Sequence, residues 1–102
     1  MTVLEQAIEI LERVNATDIS VFEFQGKSPF YDYFLVGTVN ERAGSSAMGY
    51  FSKEFKEQLK GIEGNDNSGW ILIDLGEVVV HLFKKEDRDF YGFDQRFLNM
   101  KK

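Results

Sequence analysis

The sequence predicts an α/β domain: one mixed β-sheet flanked by helices, with no division of residues 1–102. Two stretches of helical periodicity, near residues 2–14 and 40–60, alternate with strand-like runs at 19–24, 31–39 and 70–83. Strands placed on both sides of a long helix favour one mixed sheet with helices packed against it. The chain holds no internal repeat, low-complexity tract or linker, and 102 residues is an ordinary size for a single domain.

The first helix is read over Thr2–Val14. Leu4, Ala7, Ile8, Leu11 and Val14 recur at helical spacing, with Glu5, Glu9, Glu12 and Arg13 opposite. Thr2 and Glu5 have the spacing of a capping box, and Asn15 closes the helix. Ile19–Phe24 is the first strand, and Gln25–Pro29 is a loop containing Gly26 and the only proline. Tyr31–Val39 is the next strand. Its consecutive apolar residues Phe34, Leu35 and Val36 suit a central strand covered on both faces. Asn40 is positioned to cap a long helix with a buried stripe of Met48, Phe51, Phe55 and Leu59. Lys53, Glu54, Lys56, Glu57 and Lys60 face water, and Gly61 is the expected C-cap. Gly49 is a candidate for close helix–sheet packing. Gly61–Gly69 reads only as a loop.

Trp70–Phe83 is a β-hairpin with two unlike faces, because side chains alternate along a strand. A loop of Leu75 and Gly76 sets Asp74 opposite Glu77, Leu72 opposite Val79, and Trp70 opposite His81. Ile71, Ile73, Val78, Val80 and Leu82 then form an aliphatic face for burial under helices. Trp70, Leu72, Asp74, Glu77, Val79, His81 and Phe83 form an aromatic and charged face, which suits binding better than catalysis. Lys84–Glu86 is a turn, and Asp87 to about Asn99 is a helix or a helix plus turn, anchored by Phe90, Tyr91, Phe93, Phe97 and Leu98.

Chemistry is sparse. One histidine and no cysteine remove the common zinc constellations, disulfides and thiolate sites. No metal or cofactor is expected. A Ser-His-acid arrangement would have to use His81, in mid-strand, and no Gly-x-Ser-x-Gly elbow or glycine-rich phosphate loop is present. Gly44-Ser45-Ser46 and Asp87-Arg88-Asp89 share elements with nucleotidyl transfer. That chemistry, however, needs carboxylates converging from a rigid strand onto two metals, and the strand concerned offers only Asp32. A nucleotide-binding or nucleotidyltransferase-like enzyme is therefore the alternative reading. Trp70 suits a core position or an interface anchor equally well. His81 suits a strand position with a local hydrogen bond, or an interface. Asp32 suits a buried partner or a ligand contact. Arg88, beside Phe90 and Tyr91, suits a stacked structural arginine.

The formal net charge of −5 argues against affinity built on neutralising phosphates, and fits a basic protein partner. No run is apolar enough to span a membrane. With no leader in view, a cytoplasmic setting is expected.

Two stretches carry a family resemblance. Tyr31-Asp32-Tyr33-Phe34-Leu35-Val36-Gly37-Thr38 resembles the Asp-Tyr-Phe-apolar-apolar strand of the ribosomal silencing factor family, also called Iojap-related. The run Trp70–Phe83, followed by Arg88-Asp89-Phe90-Tyr91, resembles that family's signature, and the similarity extends over nearly the whole chain. It implies a fold related to nucleotidyltransferases but without their catalytic acids, and no enzyme activity. It implies binding to large-subunit ribosomal protein L fourteen, which would block small-subunit joining and repress translation when nutrients are scarce. It further implies a homodimer in the free state. The expected partner-binding residues are Trp70, Leu72, Asp74, Glu77, Val79, His81, Tyr91 and Asp32. Glu63-Gly64 matches a pair common in relatives, while Phe97 stands where many carry Trp.

Overall fold

The computed structural model describes residues 1–65 and 67–102. In order, these form α1 (Val3–Arg13), β1 (Thr17–Glu23), β2 (Tyr33–Thr38), α2 (Glu41–Glu54), β3 (Gly61–Glu63), β4 (Trp70–Asp74), β5 (Val78–Phe83), α3 (Lys85–Tyr91) and α4 (Phe93–Arg96). A short 3-10 turn, Leu98–Met100, follows. The described strands make one five-stranded sheet in the order β1-β2-β5-β4-β3. Only β2 and β5 run parallel; the other neighbours are antiparallel.

The α1 cap forms as read: Thr2 Oγ1 accepts from the Glu5 amide at 3.1 Å, and the Thr2 amide donates to Glu5 at 2.9 Å. Asn40 caps α2 by accepting from the Ala43 amide at 2.8 Å. Both helices pack on the aliphatic sheet face, where Ala7, Ile10, Leu11, Ala47 and Phe51 meet Leu35, Ile71, Ile73, Val78, Val80 and Leu82. Gly44, not Gly49, is the close-approach glycine of α2. A Cβ at Gly44 would lie 3.0 Å from Ile71 Cδ1, whereas one at Gly49 meets nothing within 4 Å.

Three expectations are corrected. First, α2 ends at Glu54 with Phe55 as its C-cap, and Gly61 instead opens β3. Gly61, Ile62 and Glu63 pair with Asp74, Ile73 and Leu72, so the start of the expected loop is an edge strand. Second, the hairpin is shifted by two residues: Trp70 faces Phe83, Leu72 faces His81, and Asp74 faces Val79. The turn is Gly76-Glu77, closed by the Leu75 amide on the Val78 carbonyl at 2.9 Å. Gly76 has φ +87°, the left-handed geometry that primed hairpin turns need and that Leu75 resists. A shift of two preserves strand parity, so the division into two faces stands. Leu75 joins the aliphatic core at 3 % exposure. Third, the C-terminal helix starts earlier, at Lys85, and breaks at Gly92, where φ is +60°.

Candidate functional site

The second face of the sheet carries an aromatic cluster. Phe22, Phe24, Phe34, Val36, Val79 and Phe83 are buried there, and α4 supplies Phe93 as a lid. Phe97 is half-buried in this cluster, with its ring centroid 5.3 Å from Phe34 and 4.9 Å from Phe93. Phe93 and Phe97 thus cover most of the face that alternation alone would leave open, whereas Phe90 and Leu98, expected to anchor the segment with them, stay 82 % and 62 % exposed.

Arg88 pins that segment. Its guanidinium donates to both carboxylate oxygens of Asp94, each at 2.7 Å, to the Asp18 carbonyl at 2.6 Å and to Thr38 Oγ1 at 2.9 Å. Asp18 can offer its carbonyl because β1 is irregular between Thr17 and Ser20, with Asp18 at φ +49°. The fork on Asp94 holds that carboxyl below its usual range. Arg88 is structural, as expected, but it is held by hydrogen bonds and not by stacking.

The expected partner-binding residues separate into two groups. Val79 and His81 lie beneath the lid, at 8 % and 3 % exposure, and cannot touch a partner while it is in place. The sequence offers no sign of this, since a lid depends on where a distant segment docks. His81 Nδ1 accepts a hydrogen bond from Trp70 Nε1 at 3.1 Å. Its Nε2 is buried without a partner. Phe34 and Phe93 pack against the ring at centroid distances of 4.5 and 4.8 Å. Burial in this apolar setting pushes the imidazole down to about 4.

The remaining residues reach the surface. Trp70, Leu72 and Asp74 are half-buried along β4, while Glu77, Tyr91 and Asp32 are exposed. The Trp70 ring packs 5.0 Å from both Phe83 and Tyr91, so the indole is fixed from below and from one side. Asp32 and Glu77 are neighbours, because the Asp32 amide donates to the Glu77 carbonyl at 2.8 Å. Asp74 Oδ1 accepts from the Gly76 amide at 2.8 Å, which ties that carboxylate to the turn. The resulting strip is aromatic at one end and acidic at the other. Glu63 and Gly64 border Trp70 and Leu72 in a shallow depression of about 260 Å³. Assigning this region to a loop hid that border, and three residues with one apolar member, Ile62, are too few to display a strand period.

The two fragments shared with nucleotidyl transfer sit in α2 and α3, and Gly44, Asp87 and Arg88 are engaged in packing and hydrogen bonding. Gly44 is buried against Ile71 within α2. In α3, the Asp87 carboxylate occupies the space beside Gly69, and Arg88 points into the core network. Among the described residues no three His, Cys, Asp or Glu side chains group as metal ligands. No helix among them is long and apolar enough to cross a membrane.

Comparison with known proteins adds an independent line. Residues 1–101 match the family model described as ribosomal silencing factor during starvation. The chain is 33 % identical over 101 residues to ribosomal silencing factor RsfS of Bacillus subtilis, covering 92 % of this chain and 83 % of that protein. It is 27 % identical over 99 residues to the mouse protein named mitochondrial assembly of ribosomal large subunit protein 1, covering 90 % of this chain but 43 % of that one. A crystal structure of a Chromobacterium violaceum protein superposes with a TM-score of 0.82 at 27 % identity, covering 95 % of this chain and 87 % of that one. One from Bacillus halodurans gives 0.77 at 31 % identity, covering 90 % of both chains.

Proposed function

This chain belongs to the ribosomal silencing factor family, and we propose that it represses translation by occupying a surface of the large ribosomal subunit. The partner in this reading is ribosomal protein L fourteen. The bound domain stands where the small subunit must approach, so the block is steric and no chemical step is involved. The observation that carries the reading is the strip left open beside the C-terminal lid: Trp70 and Leu72 as apolar contacts, with Asp74, Glu77 and Asp32 as carboxylates for Lys or Arg. Tyr91 flanks it, and the net charge of −5 favours approach to a basic protein. Val79 and His81 serve from beneath, by supporting the exposed residues.

Binding of purified variants to the isolated ribosomal protein tests this placement. Trp70→Ala is expected to lose about 2 kcal/mol or more, as central aromatic anchors do. Glu77→Lys is the cleaner charge reversal, because Asp74 also holds the turn. Folded variants that bind like the parent chain would remove the strip from the interface. The homodimer expected of the free protein belongs to the same reading, and light scattering of the purified chain tests it.

A further inference from the structure

A separate cleft lies away from the aromatic strip, at the carboxyl ends of the parallel strands β2 and β5. Its volume is about 800 Å³. The end of α1 (Arg13, Asn15), the start of β1 (Thr17), the start of α2 (Arg42, Ser46) and the segment Lys84–Glu86 converge on it. Ligands of open α/β sheets collect outside the carboxyl ends of parallel strands, where the chain departs in different directions and leaves a crevice.

The charge of this cleft opposes that of the molecule. Arg13, Arg42, Lys84 and Lys85 line it, against Glu41 and Glu86, within a chain of net charge −5. Arg13 is held by Glu54 at 2.6 Å, and Lys84 pairs with Glu41 at 3.1 Å. Arg42 and Lys85 are exposed and make no ion pair among the described residues. Tyr50 adds an aromatic wall, with the Arg13 guanidinium 4.8 Å above its ring. Asn15, Thr17 and Ser46 add neutral polar groups. A basic cleft of nucleotide size with an aromatic wall, on an otherwise acidic domain, has the chemistry of an anion site.

We propose that this cleft binds a di- or triphosphate group, free or carried by a nucleotide, with Arg42 and Lys85 as its principal contacts. The site is independent of the ribosome-binding strip, so its failure leaves the ribosomal reading untouched. Thermal unfolding of the full chain with millimolar ATP, GTP, inorganic pyrophosphate or adenosine tests it. Ligand at ten times its Kd is expected to raise Tm by about 4 °C or more. The rise should vanish in the double variant Arg42→Glu/Lys85→Glu. A rise with pyrophosphate equal to that with nucleotide assigns the site to the phosphates alone; a larger rise with nucleotide assigns part of it to the nucleoside. No rise with any phosphate, an equal rise with adenosine, or a rise unchanged in the double variant overturns the proposal. If the double reversal unfolds the chain, Arg42→Gln and Lys85→Gln singly should each reduce the rise, and an undiminished rise in both overturns it equally.

Discussion

Trp70 and His81 act as one unit in which a buried ring sets the attitude of a half-buried one. Because Nδ1 accepts from the indole, the neutral ring carries its proton on Nε2, which faces apolar surroundings. A second proton would occupy Nδ1, remove the bond to Trp70 and leave a charge among Phe34, Phe93 and Trp70. This gives stability a definite pH dependence. In the unfolded chain the imidazole takes a proton near the usual value of about 6.5; in the folded chain it resists until about 4. Only the unfolded state therefore gains the proton as pH falls from 6.5 to 4, and the folded state loses about 3 kcal/mol over that window. Above pH 6.5 the contribution is fully present. Urea unfolding at pH 7.5 and 4.5 measures the loss, and His81→Phe should remove that part of it. An unchanged slope in the variant contradicts the assignment. The sequence places His81 and Trp70 on one face of the hairpin, but it gives neither their diagonal bond nor the lid above them. The bond follows from a register fixed by Gly76, and the lid from docking of Phe93 and Phe97.

Among the elements, α2 shows what periodicity can and cannot deliver. Asn40 and the buried Phe51 are legible because capping and helical spacing are local properties. The end of the helix is not. Phe55 and Leu59 continue the apolar spacing, yet the helix stops at Glu54, and the Leu59 amide closes a last turn on the Phe55 carbonyl at 2.8 Å. The chain is then drawn out to pair with β4, and a three-residue edge strand is set by its partner, not by its own sequence. The two helical glycines differ for a related reason: which one faces the sheet depends on packing. Gly49→Ala should stabilise by about 0.5–1 kcal/mol, since the added methyl meets nothing and glycine is a poor helix residue. Gly44→Ala gains the same propensity but presses on Ile71, so it should fall below Gly49→Ala in a chemical-denaturation comparison. The reverse ranking contradicts the packing of α2 on β4.

At the scale of the molecule, the mixed sheet has one face closed by α1 and α2 and the other mostly closed by the C-terminal helices. The faces are legible because alternation survives a shift of two residues. The extent of their cover is not, because Arg88 and its near neighbour Asp94 are joined to Asp18 and Thr38 from two distant segments. The strip from Trp70 to Glu77 with Asp32 stays open beside that cover, and it is the surface the proposed block by occupancy would use. The most direct measurement is sucrose-gradient sedimentation of purified large subunits, pre-mixed with this protein and then offered small subunits. Free subunits should persist with the parent chain and pair normally with Trp70→Ala. Pairing as complete with the parent chain as without it would contradict the steric account.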